Sequence, residues 1–213
     1  MKYTSILFDF DGTLANTNGL VMGSWKHAFR VLRNIEQSED VIKKTFGEPL
    51  GVSMQKFFPE VPVEEAIEIY RSHQKDIFEE MIEPFPGMVE LIKGLKARGY
   101  KVAITTSRLG NSTMVGLRKF GLDDVFDVIV TANDTTKHKP DPEPVLITLE
   151  KLGAKPEEAL MIGDSMFDIK CAHNAGVKAV LVGWAEAVTE EDLNGPDRPD
   201  YFIETAEDLF DLV

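Results

Sequence analysis

Apolar and polar positions alternate along this chain between two periods. Short apolar runs rich in β-branched residues, Ser5 to Phe10, Val102 to Thr106, Val128 to Thr131 and Ala159 to Gly163, read as buried strands, each followed closely by a helical pattern. Ala179 to Val182 and Tyr201 to Ile203 continue the series. Between them the spacing predicts helices over Gly87 to Arg98, Ser112 to Phe120, Pro144 to Lys151 and Phe167 to Ala175. Crossover helices return the chain to the same end of a sheet, so the predicted fold class is α/β: a doubly wound, mostly parallel, Rossmann-like sheet with helices on both faces.

One region breaks this rhythm. From about Asn18 to Met81 the period is helical throughout, with no strand expected before Val102. Helices are predicted near Leu20 to Arg33, Glu39 to Phe46, Val52 to Phe58 and Glu64 to Met81, with Ser38 as an N-cap and prolines at 59, 62, 84 and 86 as breakers. This gives an inserted helical domain over 17–82 and a core made of 1–16 and 83–213.

Composition narrows the class. The chain has 213 residues, 43% of them hydrophobic, enough for one core and a smaller appended unit. With 36 acidic against 23 basic residues and a net charge of −13, a nucleic-acid partner is not expected, and an anionic substrate requires local cations or a metal. A single cysteine, Cys171, rules out an intramolecular disulfide framework and reads as a small buried helix residue. The opening residues MKYTSILFDFDG have no signal-peptide pattern and no apolar run is long enough to span a bilayer, so a cytoplasmic location away from membranes is expected.

The chemistry gathers where strands end. In Asp9-Phe10-Asp11-Gly12-Thr13 the period of two aims both carboxylates to one side at the carboxyl end of a strand, the position where open α/β sheets hold ligands. Two carboxylates this close need a shared proton or a cation. A hard divalent ion answers that need, and Mg²⁺ is favoured because it binds one or two carboxylates together with phosphate and water oxygens. Turn chemistry explains the same residues about as well when they are taken alone. Gly163-Asp164-Ser165-Met166-Phe167-Asp168 is a second acidic strand end opening a helix, with Asp164 at the tip and Asp168 a turn further on; the plain alternative is a helix cap. Thr105-Thr106-Ser107-Arg108 and His138-Lys139-Pro140 add hydroxyls, backbone N–H groups and cations, which a phosphoryl group requires.

At this point the chain resembles the haloacid dehalogenase-like hydrolases. DFDGTLA, TTS, Lys139 in KPDPEP and GDSMFD stand in the order of that family's four motifs, and the helical insertion lies where the family carries its α-helical cap. The resemblance implies that Asp9 is the nucleophile and that Asp11 is the acid and base. It implies that Thr106 and Lys139 hold the phosphoryl group, with Phe10, Gly12, Thr13, Ser107 and Arg108 around it. Asp9, Asp11, Asp164 and Asp168 would hold Mg²⁺, Asp168 through a water. The second carboxylate, Asp11, favours phosphoryl transfer over dehalogenation.

Asn16-Thr17-Asn18, KPDPEP and AKPEEAL are similar to the branch of phosphoglycolate phosphatases and a bacterial inorganic pyrophosphatase, although Asn16 replaces an Asp common there, and Lys155 to Leu160 is read as a turn leading into a helix. The expected activity is hydrolysis of a small phosphate monoester, as in phosphoglycolate phosphatase. Inorganic pyrophosphatase and a phosphomutase are the alternatives. The expected partner is a small phosphorylated metabolite or pyrophosphate, and the expected state a monomer or weak homodimer. In the insertion, the segment Thr45 to Leu50 with Gly47 is either a specificity loop or a plain turn between helices. A response-regulator-like domain shares the Asp, hydroxyl and Lys chemistry but has no insertion after its first strand.

Overall fold

The computed structural model describes residues 2–75 and 77–213. Strand β1 (Ser5–Phe8) is followed by a short β2 (Ala15–Asn16), then by helices α1 (Asn18–Arg33), α2 (Glu39–Lys43), α3 (Leu50–Phe57), α4 (Val63–Gln74) and α5 (Phe78–Met81). Next come β3 (Glu83–Pro84), α6 (Met88–Ala97), β4 (Lys101–Thr105), α7 (Gly110–Phe120), β5 (Val128–Val130) and α8 (Glu143–Leu152). The chain ends with β6 (Ala159–Gly163), α9 (Met166–Asn174), β7 (Lys178–Val182), α10 (Glu190–Asn194), β8 (Tyr201–Ile203) and a 3-10 turn over Ala206–Asp211.

Six strands form one parallel sheet in the order β5-β4-β1-β6-β7-β8. This is the doubly wound α/β sheet the alternation predicts. The chain moves from β1 out to β4 and β5, then returns to the other side of β1 at β6. That reversal opens a crevice at the carboxyl ends of β1, β4 and β6. Register fixes which strand ends are level: Phe8 pairs with Ile104 on one side and Ile162 on the other, so the residues that follow emerge together.

Strand alternation divides the core. Leu7, Ala103, Met161, Ala179 and Leu181 meet Val145 and Leu149 of α8 and Ile169, Cys171 and Ala172 of α9 on one face. Fully burying a side chain of this size stabilises by about 1.5–3 kcal/mol. The α8 helix ends on Gly153 at φ 60, the left-handed cap that a Cβ would strain.

The chain divides into two compact units, Met1–Asn16 with Glu83–Val213, and Thr17–Ile82. The second has its own aromatic core, where Trp25 (2% exposed) lies against Phe29, Phe57 and Tyr70 with ring centroids 5.3–6.1 Å apart.

Several expectations need correction. A strand does precede Val102: β2 and β3 form an antiparallel two-residue ribbon, Ala15 opposite Pro84 and Asn16 opposite Glu83. The described residues of the helix read over Glu64 to Met81 form α4 and α5, residue 76 lying outside the described residues, and neither Gly nor Pro stands between the two to signal where the first ends. Ser38 occupies the N-cap position of α2, but its side chain makes no capping bond. Lys155 to Leu160 leads through a 3-10 turn, Pro156–Glu158, into strand β6, not into a helix.

Candidate active site

Asp9 follows β1 directly, Thr106 follows β4, Asp164 follows β6, and Lys139 lies in the loop between β5 and α8. The Lys139 ammonium is almost sealed from solvent, 3% exposed, between two carboxylates: Nζ is 3.0 Å from Asp9 Oδ1 and 2.6 Å from Asp168 Oδ1. Asp9, Asp164 and Asp168 each bring a carboxylate oxygen within 4.8 Å of the others. The sequence places Asp9, Lys139 and the Asp164–Asp168 segment far apart, and the parallel register collects them.

Each carboxylate has a different neighbourhood. Asp168 has both oxygens engaged, Oδ1 by Lys139 and Oδ2 by the Ser165 hydroxyl (2.6 Å) and N–H (3.2 Å). With Ser165 Oγ accepting from the Asp168 N–H, this is a capping box at the start of α9. The capping explanation therefore holds for Ser165 and Asp168. It does not hold for Asp164, whose Oδ1 accepts from the Thr13 hydroxyl at 3.2 Å. Asp9 Oδ1 is buried and, among the described residues, has no hydrogen-bond donor, since its 3.0 Å approach to Lys139 lacks hydrogen-bonding geometry.

Two glycines leave room for the carboxylates. Gly12 has φ +73, and a Cβ there would lie 2.1 Å from Asp164 Oδ2; one on Gly163 would lie 2.3 Å from Asp168 Cβ. Neither position accepts a side chain without displacing an acid.

The electrostatics follow from burial. Burial pushes Asp9 up to about 7; Lys139 pulls it down, and Asp168 and Asp11 push it up again. Burial, with Asp168 and Asp9, also holds Asp164 well above the carboxylate range, against Lys139 and the Thr13 hydroxyl. Burial disfavours the Lys139 charge, but Asp168 and Asp9 outweigh it and raise its pKa. Three buried acids share one buried cation, an arrangement short of positive charge.

Asp11 stands apart from this knot. The Arg108 Nε lies 3.0 and 2.8 Å from its two carboxylate oxygens. Arg108 also donates its N–H to Thr106 Oγ1 at 3.1 Å, while the Thr106 N–H is bound by Val130 O at 3.0 Å. Ser107 is exposed between them. The Phe10 ring is buried against Phe120, centroids 6.3 Å apart, and the Arg108 guanidinium carbon lies over it at 6.0 Å from the centroid. Gly47, at φ +77, belongs to the helical unit, in the turn between α2 and α3.

Sequence reading offers Ser165 as a possible helix cap, which it is, but misses two supports of this site. Ser165 in that cap also aligns Asp168, a role that the S-x-x-D spacing could have signalled. Trp184, after β7, donates its indole N–H to Thr13 O at 3.3 Å, and no motif marks it.

Comparison with known proteins places this geometry. A family model described as haloacid dehalogenase-like hydrolase matches residues 6–182. A protein named pyrophosphatase PpaX from Halalkalibacterium halodurans is 39% identical over 213 residues, covering 100% of this chain and 98% of that one. Among solved structures, one from Bacteroides fragilis, described provisionally as a haloacid dehalogenase-like hydrolase, superposes with a TM-score of 0.90 at 30% identity over 98% of this chain and 100% of the other. One from Lactobacillus plantarum, described provisionally as a phosphoglycolate phosphatase, does so with a TM-score of 0.84 at 26% identity, covering 100% of each chain.

Proposed function

The chain belongs to the haloacid dehalogenase-like hydrolase family and is one of its phosphatases, and from that premise we propose that it hydrolyses inorganic pyrophosphate to two phosphates through an aspartyl-phosphate on Asp9. The observation that carries the reading is the knot at the strand ends, where Asp9, Asp164 and Asp168 converge within 4.8 Å around a Lys139 ammonium 3.0 Å from Asp9. The substrate is supported by the full-length 39% identity to a protein named a pyrophosphatase. This ranks pyrophosphate above the phosphate monoester that the motifs first suggest. Phosphoglycolate is the second reading, supported by the structural likeness at 26% identity.

Mg²⁺ is the cofactor in this reading, and the donor set fits it. Asp9 and Asp164 are hard oxygen donors, and Asp9 Oδ1 is buried without a hydrogen-bond donor among the described residues. Asp9, Asp164 and the Asp11 main-chain carbonyl would hold the ion. Asp168, with both oxygens engaged, would reach it only through water while it aligns Lys139. When bound, Mg²⁺ supplies the positive charge that keeps the buried acids ionised and neutralises phosphoryl oxygens.

The chain's own residues then divide the work. An oxygen of ionised Asp9 attacks one phosphorus, and the bond from that phosphorus to the bridging oxygen breaks. Asp11, as a carboxylic acid, gives its proton to the departing phosphate. Now a carboxylate, Asp11 takes a proton from water, whose oxygen attacks the same phosphorus and releases Asp9. Lys139, the Thr106 hydroxyl and backbone N–H groups of the Gly12-Thr13 and Ser107-Arg108 turns hold the equatorial oxygens.

The helical unit over 17–82 serves as a cap, with the Gly47 turn as its specificity element, to exclude water from a slow reaction. The net charge of −13 argues against nucleic acid as partner, and Lys139 and Arg108 at the strand ends, with the metal, would supply the local cations that a small phosphorylated solute needs. The described residues contain no helix long and apolar enough to cross a membrane. The reading places a monomer or weak homodimer in the cytoplasm. Phosphate release from pyrophosphate, phosphoglycolate, sugar phosphates and nucleotides, with Mg²⁺ and with a chelator, tests it. Pyrophosphate should show the highest kcat/KM, abolished by the chelator; a higher value for phosphoglycolate would hand the assignment to the second reading.

A further inference from the structure

Trp184 sits two residues past the end of β7, tied to the turn that carries Asp11 directly by one hydrogen bond and indirectly through Phe85. Its indole Nε1 donates to the Thr13 carbonyl at 3.3 Å. Its ring lies on Phe85, centroids 5.3 Å apart and planes tilted by 32°. Phe85 in turn donates its N–H to Leu14 O at 2.9 Å.

The turn itself is closed by backbone bonds, Gly12 N–H to Ala15 O at 2.9 Å and the Leu14 and Ala15 N–H groups to Phe10 O at 3.1 and 2.8 Å. Those bonds fix its shape but not where it stands. Thr13 supplies the anchors: its hydroxyl binds Asp164 and its carbonyl accepts from Trp184. Thr13 is fully buried, so a loss of either bond leaves a polar group without water to replace it.

We propose that Trp184 is a positioning residue of the phosphohydrolase site, acting through Thr13 to hold the Asp11 turn and Asp164 in register for metal and substrate. This rests on the catalytic reading of Asp9 and Asp11 given above. The indole is suited to the task because a rigid ring fills the space beside Phe85 while one N–H makes the directed bond. Phenylalanine keeps the ring and lacks the donor.

The test compares Trp184→Phe with wild-type protein in steady-state hydrolysis of pyrophosphate across a Mg²⁺ titration, and follows tryptophan emission in the same titration. The chain has two tryptophans, and Trp25 is sealed in the aromatic core of the helical unit. Loss of one hydrogen bond of about 1 kcal/mol corresponds to about a 5-fold change. The variant is expected to lose about 5-fold in kcat, to need more Mg²⁺ for half-activation, and to keep KM for pyrophosphate within about 2-fold of wild type. Wild-type emission is expected to change on Mg²⁺ addition with the midpoint of activation, and the change to vanish in Trp184→Phe. Wild-type kcat and Mg²⁺ dependence in the variant would overturn the proposal. So would a wild-type emission that Mg²⁺ leaves unaltered, a readout that needs no variant to fold. Asp9→Asn run alongside separates the two claims: full activity there sinks the catalytic reading itself, whereas an inactive Asp9→Asn beside an unaffected Trp184→Phe sinks only the positioning role.

Discussion

Arg108 grips Asp11 edge-on, with its Nε 3.0 and 2.8 Å from the two carboxylate oxygens and its side chain 8% exposed. The donor belongs to a planar, rigid guanidinium, whereas a lysine ammonium is a point charge on a flexible stem and holds the carboxylate in no set orientation. Replacing Arg108 with Lys keeps the charge and loses that alignment. Hydrolysis of pyrophosphate by Arg108→Lys should fall by about 10-fold or more in kcat, since general acid-base catalysis contributes about 10²–10⁴ and depends on placement. A wild-type kcat in Arg108→Lys would mean that the pairing does not serve Asp11.

Lys139 carries a different burden. Among the described residues it is the one cation paired with Asp9 and Asp168, and its removal leaves buried acids without their partner. Breaking a buried pair by deleting one member costs about 3–5 kcal/mol. For a chain of this size each kcal/mol moves Tm by about 2–4 °C. Lys139→Met should therefore melt roughly 10 °C below wild type in differential scanning calorimetry without metal, and be inactive. An unchanged Tm would show that the acids are discharged without it.

The pH dependence of stability has a definite sign. Burial raises Asp9 from 3.8 to about 7, so below about pH 4 it is protonated folded and unfolded alike, and between about 4 and 7 the folded state binds the proton more tightly. The stability this affords is present at low pH and is lost as pH rises through 7. In metal-free protein the Tm of wild type relative to Asp9→Asn should fall across that window. Added Mg²⁺ should restore wild type above pH 7 and leave Asp9→Asn little changed. A wild-type Tm that gains on Asp9→Asn between pH 4 and 7 without metal would contradict the burial argument.

Gly12 tests the crowding of the site. A methyl there would stand 2.1 Å from an Asp164 oxygen in a backbone at φ +73. Gly12→Ala should cost more than the roughly 1 kcal/mol of left-handed strain alone, because Asp164 must also move. Its Mg²⁺ half-activation, read by phosphate release, should rise by at least about 10-fold; an unshifted value would show that Asp164 is not a metal ligand.

What the sequence makes legible, and what it hides, follows from range. All six sheet strands announce themselves as short apolar runs, near-continuous where the parallel strands are buried, and Ala159 to Gly163 and Tyr201 to Ile203 are read to the residue. The β2–β3 ribbon is invisible, since two residues carry no period and their pairing spans the whole insertion. Helix α10 has a T-x-x-D capping box at Thr189 and Asp192 but only five residues, too few for a periodic signal. At the site, the residue types and their strand-end positions can be read one by one. Their pairings cannot: Thr13 with Asp164, Lys139 with Asp168 and Arg108 with Asp11 exist only because register brings separate strand ends level.

The proposed nucleophile of this Mg²⁺-dependent phosphohydrolase is Asp9, and phosphate release from pyrophosphate by Asp9→Asn decides the matter. The variant should melt cooperatively, as wild type does, and release phosphate at less than about a thousandth of the wild-type rate at saturating Mg²⁺, since covalent catalysis cannot begin without that carboxylate. Asp9→Asn turning over pyrophosphate at the wild-type rate would contradict that role.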